Sequence, residues 1–66
     1  MKSYIYKSSS YGNNYETVIF YDIFIKLWTI THYCNDIQIG DSEYLNNKND
    51  VLGLYDLKIF KVEGGK

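Results

Sequence analysis

The sequence predicts a mainly β fold, a small antiparallel sheet or barrel of about four to five strands with at most one short helix or helical turn. Three observations carry this. The chain holds eight Tyr, three Phe and one Trp and is rich in Ile, with Val and Thr adding to the strand-forming set, while Ala, Arg and Pro are absent. Without Ala it lacks the best helix former. Glu16 to Tyr33 alternates, and clusters of turn-forming residues punctuate the chain at Ser8–Asn14, Cys34–Asp36 and Gly40–Ser42.

Sixty-six residues make one domain, 1–66, because a chain this short has no surface to spare for a second core. Cys34 is the only cysteine, so no intramolecular disulfide can staple it, and a lone thiol fits a reducing, cytoplasmic setting. Self-association is then a natural way to recover stability, and a homodimer is one expected state. Net charge is −1, seven Lys against eight acidic residues, which supplies no long-range field of either sign. Residues 2–7 do not form the apolar core of a secretory signal. Val18–Ile30, the most apolar stretch, is interrupted by Asp22 and Lys26, so no membrane span and no membrane partner are expected.

Taken in order, Ser3–Lys7 reads as a first strand, with Tyr4 and Tyr6 on one face and Ile5 and Lys7 on the other. Ser8 to Asn14 reads as a loop joining it to a second strand. In Glu16–Tyr33 the odd positions Ile19, Tyr21, Ile23, Ile25, Leu27 and Thr29 are the expected core face. A single strand of that length would reach about 60 Å, far beyond a domain whose radius of gyration is about 11 Å. The segment must therefore break near Asp22 or near Lys26. The competing fold is α+β with a helix at 18–30, in which Asp22, Lys26 and Thr29 would form one polar stripe. The density of β-branched and aromatic residues favours strands. Cys34–Ile37 reads as a turn leading into a short strand through Ile39, Ser42–Lys48 as a loop with one helical turn, and Leu54–Val62 as the last strand, its change of phase pointing to a bulge or to a strand covered on both faces near its end. Residues 63–66 read as a flexible tail.

Catalytic residues are not expected. His32 and Cys34 would share a strand face, but no third ligand or orienting acid accompanies them, and a strand-end His beside a small thiol is the simpler reading. The acidic and amide-rich run from Asp41 to Asp50 lacks the ligand order of a calcium loop, and the five glycines have no phosphate-cradling spacing. No metal and no cofactor are expected, and the chain is read as non-enzymatic.

Tyrosine is the informative residue. Several Tyr sit in or beside loops, and the Tyr, Ser, Gly and Asn mixture of Ser8–Tyr15 is that of adaptable binding loops. Tyr11, Asn13, Asn14, Tyr15 and Tyr44 are therefore the candidate surface for another protein; heavy compositional use of Tyr is the alternative. A second candidate is a basic aromatic patch, Lys58, Phe60 and Lys61, suited to stacking single-stranded nucleic acid, although the chain has no Arg to grip phosphate. In size and composition this very short chain, rich in Asn, Lys, Tyr and Ile, resembles accessory proteins of phages and mobile elements, anti-CRISPR and other anti-defence proteins among them. That resemblance implies a stoichiometric inhibitor acting by occlusion.

Overall fold

The computed structural model describes residues 2–64. Strands β1 (Ser3–Ser10), β2 (Asn13–Asp22), β3 (Leu27–Cys34), β4 (Ile37–Gln38) and β5 (Glu43–Leu45) are followed by helix α1 (Lys48–Leu54), a 3₁₀ turn (Leu57–Ile59) and β6 (Lys61–Glu63). They form one open antiparallel sheet in the order β4-β3-β2-β1-β6, with β5 also paired to β3. The expected mainly β class holds, and the sheet does not close into a barrel. No helix is long and apolar enough to cross a membrane among the described residues.

Turn chemistry sets the register. Tyr11 and Gly12 both have positive φ, 52° and 79°, which gives the two-residue connection whose twist matches that of the strands it joins. The loop expected over Ser8–Asn14 therefore shrinks to these two residues, and the serines continue β1 in register with Asn13–Tyr15. Asn35 and Asp36, at 51° and 69°, repeat the device between β3 and β4. Asn35 also ties the two turns together. Its amide N–H donates to the Asn14 carbonyl (2.7 Å), its Oδ1 accepts from Asn14 N–H (2.9 Å), and its Nδ2 donates to Asn13 Oδ1 (3.1 Å).

The alternative helix over 18–30 is overturned. That segment is the β2–β3 hairpin, its break falling between Asp22 and Leu27. The connection also corrects the expected core face. Partners across the hairpin add an odd to an even position, Ile19 to Ile30 and Tyr21 to Trp28, so the inward face is odd in β2 but even in β3. Ile19 and Ile30 are wholly buried as a cross-strand pair, each burial worth about 1.5–3 kcal/mol. Val51 from α1 and Leu57 from the 3₁₀ turn close the core over them, with Tyr4, Trp28, Leu45, Tyr55 and Phe60 packed around.

The C-terminal third departs from expectation. Glu43–Leu45, placed in the expected helical turn, is β5, because Leu45 packs on the core beside Trp28. Helix starts later, where Asn47 Oδ1 accepts from Asp50 N–H (3.1 Å). Leu54–Val62 is not one strand. Leu54 ends α1, Asp56 caps the 3₁₀ turn through Lys58 N–H, and only Lys61–Glu63 pairs with β1. A helix of seven residues has little stability of its own; the burial of Val51 holds it. Glu63, expected in the tail, lies opposite Ser3. Gly65 and Lys66, the end of that expected tail, lie outside the described residues.

Candidate interaction surface

The β2–β3 connection is built by its polar residues and displays its apolar ones. Asp22 Oδ1 accepts from Phe24 N–H (2.9 Å), the Asp22 carbonyl accepts from Lys26 N–H (2.7 Å), and Lys26 takes a left-handed φ of 58° to re-enter the sheet. Between them Ile23, Phe24 and Ile25 are 59%, 87% and 49% exposed. Loop tips are ordinarily polar, and three consecutive apolar residues held out to solvent have no folding role to explain them. Directly beneath, Tyr21 and Trp28 stack edge to face with centroids 5.6 Å apart, so the tip stands on a stiff aromatic base. Sequence reasoning missed this knob. Its signal was the break required near Asp22 or near Lys26; the structure places the turn from one to the other, on the apolar triplet between them.

The five residues expected as a contact surface do not come together. Tyr11 stands fully exposed at the tip of the β1–β2 hairpin. Asn13 and Asn14 are engaged with Asn35, inside the fold's own turn clamp. Tyr15, opposite Cys34, and Tyr44, opposite Thr29, project to opposite faces of the sheet and lie five positions apart along β3, about 17 Å. Tyr11 and Tyr15 share one end of the sheet, where Lys7, Ser8, Ser9, Asn14, Tyr15, Glu16 and Asp36 line an open hollow of about 410 Å³.

The basic aromatic patch is also divided. Phe60 packs against Tyr6 at 5.4 Å and Tyr55 at 6.3 Å, which commits its ring to the core margin. Lys61 is paired with Glu63 (3.8 Å) on β6, and Lys58 belongs to the 3₁₀ turn.

His32 and Cys34 do share a face, as alternate residues of β3. The neighbours of His32 are Thr17, Glu43 and Tyr55, not the thiol. Thr17 Oγ1 lies 3.0 Å from Nδ1, Glu43 Oε1 lies 3.5 Å from Nε2, and Tyr55 Oη donates to Glu43 at 3.0 Å while lying 3.4 Å from Nε2. Burial, then the hydrogen bond to Glu43 and its charge, push the Tyr55 hydroxyl above its usual range. This network fastens the segment after α1 to β2, β3 and β5. Among the described residues no three His, Cys, Asp or Glu side chains converge as a metal site would require.

The fold and surface define a class: a small open sheet capped on one face, carrying a rigid apolar hairpin tip. No protein-family model, curated protein or solved structure matches the chain.

Proposed function

We propose that this is a non-enzymatic protein-binding module that docks through the Ile23–Phe24–Ile25 tip and acts by stoichiometric occlusion. The observation that carries the reading is the inversion at the β2–β3 turn, where Asp22 and Lys26 fix the backbone and the apolar side chains face solvent. A preformed turn loses little conformational entropy on binding, and an aromatic side chain that fills a partner's pocket can anchor an interface. A concave apolar pocket with polar groups on its rim would receive Phe24 and answer Asp22 and Lys26. A lipid surface suits the tip less, since Asp22 stands beside Lys26 and the chain carries no net positive charge to seek anionic headgroups. Inhibition of a host protein by a phage or mobile-element product is the biological setting that size and composition favour. The nucleic-acid reading loses support from the division of Lys58, Phe60 and Lys61.

The test is capture of partners from lysate on tagged protein, with and without nuclease, beside a Phe24→Ser control. A stoichiometric protein retained after nuclease and lost with Phe24→Ser supports the reading. Retention of nucleic acid, or of proteins that disappear with nuclease, overturns it.

A further inference from the structure

We infer that the uncovered face of the sheet is a docking surface whose occupant is the same face of a second copy, packed sheet on sheet. Helix α1 and the 3₁₀ turn cover one side, where Val51 and Leu57 meet Ile19 and Ile30. The register turns the alternate residues to the far side. There Val18 and Phe20 of β2 lie opposite Thr31 and Thr29 of β3, with Tyr33 and Leu27 one step further along β3 at either end. Ile5 of β1 extends this surface beside Val18. A sheet face that meets water carries polar and charged residues, yet none of the outward residues of β3 is charged, and on β2 charge returns only at Glu16 and Asp22, on either side of Val18 and Phe20. Thr29 and Thr31 are only 7% exposed without a helix above them, because side chains of the neighbouring strands close around them and Ser42 Oγ meets Thr31 Oγ1 at 2.7 Å. The surface offered is therefore more apolar than its two threonines suggest.

Charge, area and the weakness of the core favour a copy of the chain as the occupant. The charged residues at the margin come as opposite pairs, Lys7 with Glu16 at 3.9 Å and Lys61 with Glu63 at 3.8 Å, so they cancel. Asp22 is turned into the β2–β3 connection, where it accepts from Phe24 N–H. The face thus has no field to repel its own copy and none to select a charged partner. From Leu27 to Tyr33 it runs about 20 Å along the strands and, over five strands, about 19 Å across them, or about 400 Å² in plan. Side-chain relief raises this to roughly 500–600 Å² of accessible surface per copy and about 1,000–1,200 Å² for the pair, the threshold for a specific dimer. Two such faces stack about 10 Å apart with strands within about 30° of each other, as in a β-sandwich. A two-layer domain with four buried apolar residues among those described has little core to spare, and a second sheet supplies the missing layer.

At this size the dissociation constant should lie at roughly 10⁻⁶–10⁻⁴ M. Sedimentation equilibrium of the whole protein from about 5 μM to about 500 μM should show mass rising toward twice the monomer. Val18→Lys sets an ammonium at the centre of the face, where a single copy leaves it open to water and a dimer would bury it. It should weaken association at least about 100-fold while the far-UV circular dichroism stays that of the parent. If Val18→Lys disrupts the fold, Val18→Thr serves instead, keeping the branched shape and weakening association about tenfold. In a mixture of labelled and unlabelled protein, isotope-filtered nuclear Overhauser contacts should join Val18, Phe20 and Leu27 of one copy to the far face of the other. Phe24→Ser should associate like the parent, since the tip lies past Asp22 at the end of this face, so the inference and the hairpin-tip reading fail separately. A parent monomeric at about 500 μM overturns the inference, as does a dimer that survives in folded Val18→Lys or is lost in Phe24→Ser.

Discussion

Replacing Phe24 by Ser separates a binding tip from a structural one. Because the side chain is 87% exposed, only a small fraction of its area is withdrawn from water in the free protein. A Phe buries roughly 200 Å² when fully enclosed, so the free fold gains at most about 0.6 kcal/mol from this ring at about 25 cal/mol per Å². The remaining area, about 170 Å², is available to a partner, and enclosing it is worth about 4 kcal/mol, an upper bound since part is lost to ordering the interface. Affinity for the partner recovered from lysate should therefore fall about 30- to 1000-fold, while the melting temperature moves by no more than about 4 °C. Titration calorimetry against that partner and a thermal melt followed by far-UV circular dichroism measure the two effects. A variant that binds normally but melts well below the parent would refute the reasoning, since Phe24 would then be stabilising the fold through contacts that its exposure denies.

Three further outcomes test the core and its polar margin. Ile30→Ala opens a cavity against Ile19 in a core that holds four buried apolar residues among those described, and should cost about 3–4 kcal/mol. That is most of the roughly 3–5 kcal/mol a domain of this size commands, so its circular dichroism at 25 °C should be largely that of an unfolded chain. Thr29 is buried with Oγ1 unpartnered; Thr29→Val removes that hydroxyl and should raise stability by about 1 kcal/mol in urea unfolding. Tyr55 contributes stability that is intact below the ordinary tyrosine value of 10.0 and is lost as pH rises through its raised folded value, because the native state holds that proton more tightly. Urea midpoints between pH 9 and 12 should fall less steeply for Tyr55→Phe than for the parent, and parallel curves would show that the hydroxyl is not held by Glu43.

Strand class was legible because it rests on composition and alternation, which survive errors in register. The faces were not, since each depends on where a turn falls, and turns here rest on residues in the left-handed region. Asn35 and Asp36 are the types that tolerate it, and the turn there was readable. Tyr11 beside Gly12 was half readable, and the surrounding Ser and Asn residues suggested a longer loop than the strands leave. Lys26 gives no such signal. Its φ of 58° is secured by the Asp22 carbonyl accepting its N–H, a contact visible only once the hairpin exists.

The same dependence explains why the tip was hidden while its residues were in plain view. Hydrophobic periodicity assigns Ile23 and Ile25 to the core because it scores side chains and is blind to chain direction. Length alone contradicts it, requiring a break near Asp22 or near Lys26 without saying which residues turn. Once the reversal carries the apolar triplet, those side chains change from core to surface, and the inward positions of β3 become the even ones. Thr29, assigned to the core by alternation, moves to the opposite face with an unpartnered hydroxyl, while Ile30 takes the place beside Ile19. A sequence selected for folding alone would put polar residues at such a turn, as this chain does with Asn35–Asp36. Placing Ile-Phe-Ile at one reversal and Asn-Asp at the other, within one short sheet, is a contrast that the fold alone does not explain, and the proposed docking role of the tip rests on it.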